Sequence, residues 1–290
     1  MGNNNKIADL HTHTTASDGN TPPIELVKMA RENGLFAVAI TDHDTLQGIK
    51  DVLNEDNDYG IELIPGVEVS VSFEPIMHVL GLFVDYGNEE FNHILVKTCN
   101  KKKRLLAQSF RTLSKNGIEI NMTEIKKRKI SSLSGLIKYM VELNVISSVD
   151  EGKLFFGNIY SEWKSEFPNP EKCFEAIHRA GGVAILAHPL FLGLNKEDLK
   201  TLLLQLKRMG LDGIEINHPD QSEEYRNMLR GYAQELCFLT SGGSDYHGKP
   251  NHAPLSTPDS DTVVPYEVVE KIKRKIARYK NDIDTIYFIE

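Results

Sequence analysis

The sequence contains few cysteines and no long apolar stretch. Only three cysteines occur among 290 residues, and Cys99, Cys173 and Cys237 lie far apart. An odd number of widely spaced thiols supports neither a disulfide framework nor a zinc site made of cysteines. No apolar run approaches the roughly 20 residues that a membrane-spanning helix requires, and the first residues lack an apolar signal core. These absences predict a cytoplasmic protein without a membrane partner.

Positive charge is also in short supply. The chain has 33 Lys and Arg residues against 41 Asp and Glu residues, which gives a formal net charge of −8 at pH 7. A chain with this balance lacks charge complementarity to a polyanion. We therefore expect no long nucleic acid among its partners, although a local basic pocket for a small anion is compatible with this charge.

Short apolar runs alternate with helical patterns along most of the chain, beginning with the runs at 7–10 and 36–40. This alternation is typical of a parallel sheet covered by helices, and about seven such units predict a (β/α) barrel. The alternation fades between residues 118 and 167, where charged residues and helical periodicity dominate. We therefore predict an α/β fold with a discontinuous barrel domain, 1–117 and 168–290, and a small helical insertion subdomain, 118–167.

Three details of this pattern lead to further expectations. Pro65-Gly66 interrupts an apolar region and predicts a broken strand. The run at 285–289 predicts a last strand, and Cys237, at the start of an apolar run, is interpreted as an inert buried thiol.

Six of the ten histidines fall near the ends or edges of predicted strands, together with three carboxylates. The active site of a (β/α) barrel lies at the C-terminal ends of its strands. His78 departs from this rule, because it lies near the start of its apolar run. The nine candidate metal ligands are His11, His13, Asp18, His43, Glu68, His78, His188, Asp245 and His247.

The spacing of these residues suits divalent cations. Residues i and i+2 of a strand project to the same side, so His11 and His13 can bind one ion, as can Asp245 and His247. Imidazole and carboxylate ligands suit Mn²⁺, Zn²⁺ or Fe²⁺. Nine ligands are too many for one ion and predict two or three, with a carboxylate such as Glu68 able to bridge two of them. Closely spaced metals can orient a hydroxide at a phosphorus centre.

Each candidate also has a structural explanation when it is taken alone. His78 could be a core or edge histidine, Asp18 a turn residue, Asp245 a helix cap, and Glu68 a surface carboxylate. The common position of all nine near strand ends favours the metal site.

The ordered motifs resemble the PHP (polymerase and histidinol phosphatase) family. The resemblance extends from about residue 7 to residue 248, and the branch that it suggests contains 3′,5′-nucleoside bisphosphate phosphatases. The motifs are Asp9-Leu10-His11-Thr12-His13, Ser17-Asp18-Gly19, Thr41-Asp42-His43-Asp44, Gly66-Val67-Glu68, His78, Ala187-His188-Pro189 and Gly243-Ser244-Asp245-Tyr246-His247-Gly248.

This resemblance implies a distorted (β/α)7 barrel with a trinuclear metal centre. It implies three ligand groups: His11, His13, Glu68 and Asp245 for the first metal; Glu68, His78 and His188 for the second; Asp18, His43 and His247 for the third. Asp9 and Asp42 are read as carboxylates that orient neighbouring imidazoles, with simple strand-end capping as the alternative.

The insertion departs from the pattern of that branch. The branch has an Arg-x-His segment that helps to hold substrate phosphate, whereas the comparable stretch here is the serine-rich run 130–135. This difference weakens the expectation of bisphosphate specificity more than the expectation of phosphoester hydrolysis.

The expected activity is hydrolysis of a small phosphomonoester, and the substrate class is a nucleotide, either a 3′,5′-bisphosphate or a 5′-monophosphate. Either His188 or His247 could protonate the leaving oxygen. Arg104, Asn217 and His218 are candidate substrate contacts, Arg104 because its planar fork suits phosphate. The alternatives are a nuclease that trims short oligonucleotide ends, a histidinol-phosphate-type phosphatase, a hydrolase of C–N bonds and a metal-binding protein without activity.

Overall fold

The computed structural model describes residues 6–55, 57–73, 77–165, 167–250 and 252–287. Helices and strands alternate over both predicted parts of the barrel, and helices alone fill the predicted insertion. None of the helices in these ranges combines the length and the apolar character needed to cross a bilayer.

The strands of the described chain form one sheet. They are β1 (Ile7–Asp9), β2 (Ala37–Ile40), β3 (Glu62–Val71), β4 (Met77–Leu82), β5 (Val183–Leu186), β6 (Gly213–Asn217), β7 (Leu239–Gly242) and β8 (Val264–Pro265). Their spatial order is β7-β6-β5-β4-β3-β2-β1-β8. Neighbours within β1–β3 and within β5–β7 are parallel, whereas β4 is antiparallel to both β3 and β5.

The sheet curves until its first and seventh strands meet. Beyond β1, the Leu10 amide donates to the carbonyl of Gly242 at 3.1 Å, and the His13 amide donates to that of Tyr246 at 2.8 Å. β8 pairs antiparallel with the start of β1. These contacts nearly close the sheet, and the predicted distorted (β/α)7 barrel is confirmed.

The helices begin where the sequence places proline or a capping side chain. α1 starts at Pro23 and α8 at Pro170, while Asn88, Asn195 and Ser222 cap α3, α9 and α10 by accepting from the third following amide. The helices are α1 (Pro23–Glu32), α2 (Gln47–Leu53), α3 (Glu89–Lys115), α4 (Met122–Lys127), α5 (Leu133–Glu142), α6 (Val149–Phe156), α7 (Asn158–Ser165), α8 (Pro170–Arg179), α9 (Lys196–Arg208), α10 (Glu223–Glu235) and α11 (Tyr266–Tyr287).

Apolar side chains fill the barrel, and α11 covers the end at which the parallel strands begin. Val269 and Ile272 of α11 are fully buried in one cluster with Leu10, Leu80 and Ile185. A second and larger cluster lies between the sheet and its surrounding helices. α11 therefore seals the end of the barrel where the parallel strands begin. The edge where these strands end is left for polar side chains.

The helices α4–α7 share a third apolar cluster with α3. Leu105 and Leu113, both in the second half of α3, are buried there with Leu133, Leu136 and Met140. Because α3 starts beside the sheet and continues into this cluster, it is the connection between the barrel and the insertion.

Three expectations about elements are wrong. β3 runs without a break through Pro65 and Gly66, because β2 pairs with its first four residues and β4 with the rest. Residues 285–287 belong to α11 rather than to a strand, and the remainder of that predicted strand lies outside the described residues. Cys237 is exposed in a turn with φ 51°, whereas Cys173 is the buried thiol.

Candidate metal centre

The polar edge of the barrel collects all nine sequence-predicted ligands. His11 and His13 follow β1, His43 follows β2, and His188 follows β5. His78 is the second residue of β4, and because β4 runs antiparallel to its neighbours, its beginning lies at the edge where they end. The antiparallel strand therefore explains the one candidate that departed from the strand-end rule.

Glu68 in β3 lies at the centre of the cluster, where it is only 1% exposed. One of its carboxylate oxygens, Oε1, is 2.9 Å from His78 Nδ1 and 2.8 Å from His188 Nε2. The other, Oε2, is within 3.4 Å of nitrogens of three histidines, which are His11, His13 and His43. A carboxylate approached by five imidazoles through both oxygens has the position of a bridging ligand.

Asp245 and Asp18 complete two further groups. Asp245 Oδ1 lies 3.3 Å from His11 Nε2 and 3.1 Å from His13 Nε2, and Asp18 Oδ1 lies 3.2 Å from His247 Nε2. Three groups of ligand atoms therefore come within 4.8 Å of one another: His11, His13, Glu68 and Asp245; His43, Glu68 and His78; His13, Asp18, His43 and His247. They contain eight of the nine candidates, and the ninth, His188, contacts Glu68.

The donor atoms of this cluster fit divalent metals. His11 Nε2, both ring nitrogens of His13, His43 Nδ1, Asp18 Oδ1 and Glu68 Oε2 are buried and lack a hydrogen-bond partner among the described residues. Buried polar atoms without partners are costly, and these six are of the types that bind Zn²⁺, Mn²⁺ or Fe²⁺. Their convergence on shared points is what metal ions would require.

The electrostatics of the cluster are those of closely opposed charges. Burial alone raises the pKa of Glu68 and of Asp245, but the neighbouring histidines outweigh it and hold both pKa values well below their usual range. Burial likewise lowers the pKa of His13, but Asp245 and Glu68 raise it to about 10. The site thus stabilises positive charge strongly, whether a proton or a metal ion carries it.

Glu215 is a residue of the cluster that the sequence reasoning missed. It is fully buried in β6, its Oε1 is 2.9 Å from His11 Nδ1, and its Oε2 accepts from the backbone amide of His188 at 2.7 Å. A carboxylate in the middle of an otherwise apolar strand is the signal that could have identified it, since such a charge needs a buried partner.

Asp9 and Asp42 orient backbone segments rather than imidazole rings. Asp9 accepts from the amides of His11 and Ser244, and Asp42 accepts from the amide and hydroxyl of Thr14 and from the hydroxyl of Ser17. The alternative reading as structural caps is therefore the better one for both, and Asp42 fixes the turn that carries Asp18.

A cavity of about 450 Å³ lies between the histidine cluster and the insertion. Asp18, His43, His78 and His188 face it from the barrel, and Ser131, Ser132 and Ser134 face it from the insertion. Three cations also line it, which are Lys102, Lys138 and Lys153. Lys102 is held by Asp44 Oδ2 at 2.5 Å and by the Ser70 hydroxyl at 2.9 Å. The serine-rich run that replaces the expected Arg-x-His segment is thus part of the wall.

The three predicted substrate contacts lie in different places. The Arg104 guanidinium pairs with Glu162 at 2.9 Å and lines a separate surface depression. The Asn217 amide donates to the carbonyl of Val263 at 2.9 Å. His218 is buried, and its Nε2 is 3.5 Å from Asp245 Oδ2, so it contacts the cluster but does not line the cavity. The structure brings none of the three to the cavity wall.

A barrel with this polar edge defines the class of metal-dependent barrel hydrolases. The family model for the PHP domain matches residues 9–290, so the chain belongs to the PHP family, as its motifs predict. It is a metal-dependent phosphoesterase of that family.

Relatives and solved structures agree with this assignment. The chain is 32% identical over 247 residues to a 5′-3′ exoribonuclease of Haemophilus influenzae, which covers 83% of this chain and 90% of the relative. It is 25% identical to a 3′,5′-nucleoside bisphosphate phosphatase of Chromobacterium violaceum, covering 82% and 86%. A solved structure described as a metal-dependent phosphoesterase from Bifidobacterium adolescentis has a TM-score of 0.68 and 26% identity, covering 91% and 94%.

Proposed function

We propose that this enzyme acts on the 5′ end of a short single-stranded RNA. It would hydrolyse the phosphate ester bond of one nucleotide unit at a time. The observation that carries the proposal is the cavity with lysines on one wall and the histidine cluster on the other. A volume of about 450 Å³ is in the range of small-ligand pockets, so it suits one nucleotide rather than a duplex.

Two phosphate positions follow from this arrangement. The reacting phosphate would lie against the cluster, where divalent ions supply Lewis acidity that offsets negative charge and lowers the pKa of water. Lys138 and Lys153 of the insertion would hold a second phosphate across the cavity. The net charge of −8 does not oppose this, since three lysines line the cavity.

His188 is the residue that we propose as the proton donor to the leaving oxygen. It faces the cavity, whereas His247 Nδ1 lies 2.7 Å from the carbonyl of Asp245 and so carries a fixed proton, which leaves Nε2 beside Asp18 as a ligand atom. We expect His188→Asn to lower kcat while the bound metal content stays unchanged. Loss of a metal ion in this variant would instead make His188 a ligand.

The experiment that tests the function compares three substrates on the Mn²⁺-loaded enzyme. These are a 5′-phosphorylated oligoribonucleotide, a 3′,5′-nucleoside bisphosphate and a 5′-mononucleotide. We expect mononucleotides to be released successively from the 5′ end, and a chelator to stop the reaction. If none of the three is hydrolysed, the proposal is wrong.

A free 3′,5′-nucleoside bisphosphate is the second candidate substrate. It presents the same two phosphates on one nucleotide, and the relative of that name is 25% identical to this chain. A much higher kcat/KM for the bisphosphate than for the oligoribonucleotide would favour it.

A further inference from the structure

A second cleft lies at the opposite end of the barrel from the histidine cluster. Its volume is about 280 Å³, and Asp212 and Leu239 line it where β6 and β7 begin. The candidate ligands follow the other ends of these parallel strands, so the barrel separates the two sites. The turn at Cys237-Phe238 and the outer face of α11 form the remaining walls.

Four cations of α11 line this cleft, and they are Lys271, Arg274, Lys275 and Arg278. Their spacing of three, four and seven residues places them on one face of the helix. That face extends over about 10 Å, at 1.5 Å per residue. Like charges at this spacing repel each other, and an anion bound between them would relieve that repulsion.

The protein itself neutralises little of this charge. Lys275 is 3.9 Å from Asp212, whose carboxylate already accepts from the amide of Ala184 at 2.9 Å and contacts His178 at 2.7 Å. No ion pair joins Lys271, Arg274 or Arg278 to a carboxylate in the part of the chain that the structure describes. In a chain of net charge −8, this is a local excess of positive charge.

We propose that this cleft is a second anion site, which binds the phosphate groups of a ligand away from the active site. Arginine forks suit phosphate oxygens, and a cleft of this size takes one or two linked phosphates rather than a whole nucleotide. Such phosphates occur either in a free oligophosphate or in the backbone of an RNA strand. The proposal does not depend on which ester the active site hydrolyses.

Cys237 provides the readout, because it is exposed and lines the cleft. The alkylation rate of Cys237 in the metal-loaded enzyme is measured by peptide mass spectrometry, with Cys99 as the internal reference. Inorganic pyrophosphate is one probe, and a single-stranded phosphorothioate oligoribonucleotide is the other. We expect at least a fivefold slower alkylation of Cys237 with one of them and no change at Cys99.

The variant R274A/R278A should lose this protection, whereas K28A/K97A, which removes two exposed cations elsewhere, should keep it. Protection by pyrophosphate identifies a free oligophosphate as the ligand. Protection by the oligoribonucleotide alone identifies a strand, and its affinity should then fall roughly 20-fold between 50 and 200 mM salt if three phosphates are neutralised. The absence of protection by both probes, or equal protection in R274A/R278A, would overturn the proposal.

Discussion

At the scale of single residues, Glu215 orients two histidines of the cluster, His11 and His188. Its contact at 2.9 Å with His11 Nδ1 directs His11 Nε2 towards Glu68 and Asp245. Its second oxygen holds the backbone amide of His188, a residue with φ 28°. The carboxylate therefore fixes both ring orientation and backbone conformation without facing the cavity.

We expect Glu215→Gln to weaken metal binding by about 10- to 100-fold, because partners that orient metal-binding histidines contribute effects of this size. Isothermal titration with Mn²⁺ measures the affinity, and circular dichroism checks the fold. Glu197→Gln, which changes an exposed carboxylate of α9, is the matched control. Equal affinities in the two variants would show that Glu215 does not support the ligands.

The cations of the cavity wall lead to a prediction about substrate binding. We expect Lys138→Ala to raise KM about tenfold with little change in kcat, because it removes a charge that would hold the second phosphate; tenfold corresponds to roughly 1.4 kcal/mol. Arg104→Ala is the control, since Arg104 pairs with Glu162 outside the cavity. Steady-state kinetics on the best of the three proposed substrates measure both variants. A larger rise in KM for Arg104→Ala than for Lys138→Ala would make Arg104 the phosphate contact instead.

At the scale of elements, β4 explains what could and could not be predicted from the sequence. The positions of the candidate ligands after β1, β2 and β5 follow from the rule for parallel strands. The position of His78 could not be predicted, because a short apolar run does not reveal the direction of its strand. The same limit applies to β3, where Pro65-Gly66 resembles a turn but lies where the strand's pairing passes from β2 to β4. Strand pairing is a tertiary property, so local signals such as Pro-Gly gave the wrong answer.

Gly243 connects the end of β7 to the segment that carries Asp245 and His247. A methyl group at Gly243 would clash with the backbone amide nitrogen and the Cβ of His11. We expect Gly243→Ala to destabilise the protein by about 1–3 kcal/mol, as overpacking does, and to displace His11 from the histidine cluster, which should lower the metal content. Urea unfolding and metal content measure the two effects.

Gly231→Ala is the matched control for this prediction. Gly231 lies within α10, and a methyl group there would meet open space. We expect this variant to be more stable by about 0.5–1 kcal/mol, since alanine favours helix interiors over glycine. If both substitutions changed the stability in the same direction, the close approach of Gly243 to His11 would not matter.

At the scale of the whole molecule, the two ends of the barrel differ in role: one is closed by apolar packing, and the other carries the histidine cluster. α11 seals one end of the barrel with Val269 and Ile272, and the insertion covers the other with helices that share an apolar cluster with α3. The barrel was predictable from periodicity, and so was the helical character of residues 118–167. The contact between them was not predictable, because it joins residues far apart in sequence, such as Lys129, whose amine donates to the carbonyl of Gly19.

Metal ions and protons compete for the same cluster, which leads to the last prediction. Without metal, Asp245 and Glu68 raise the pKa of His13 from 6.5 to about 10, so His13 is protonated at pH 7. A raised pKa stabilises the metal-free fold fully below pH 6.5, and this stabilisation is lost as the pH rises towards 10. An imidazole must be neutral to bind a metal, so binding at pH 7 must release at least one proton.

Metal affinity should therefore rise about tenfold per pH unit for each proton released between pH 7 and pH 10. Titration calorimetry with Mn²⁺ in two buffers of different ionisation enthalpy counts the protons directly. His13→Gln should release fewer protons than the native chain, whereas His93→Gln, on α3, should release as many. Equal heats in both buffers together with an affinity independent of pH would contradict the prediction, because His13 would then be neutral before the metal arrives.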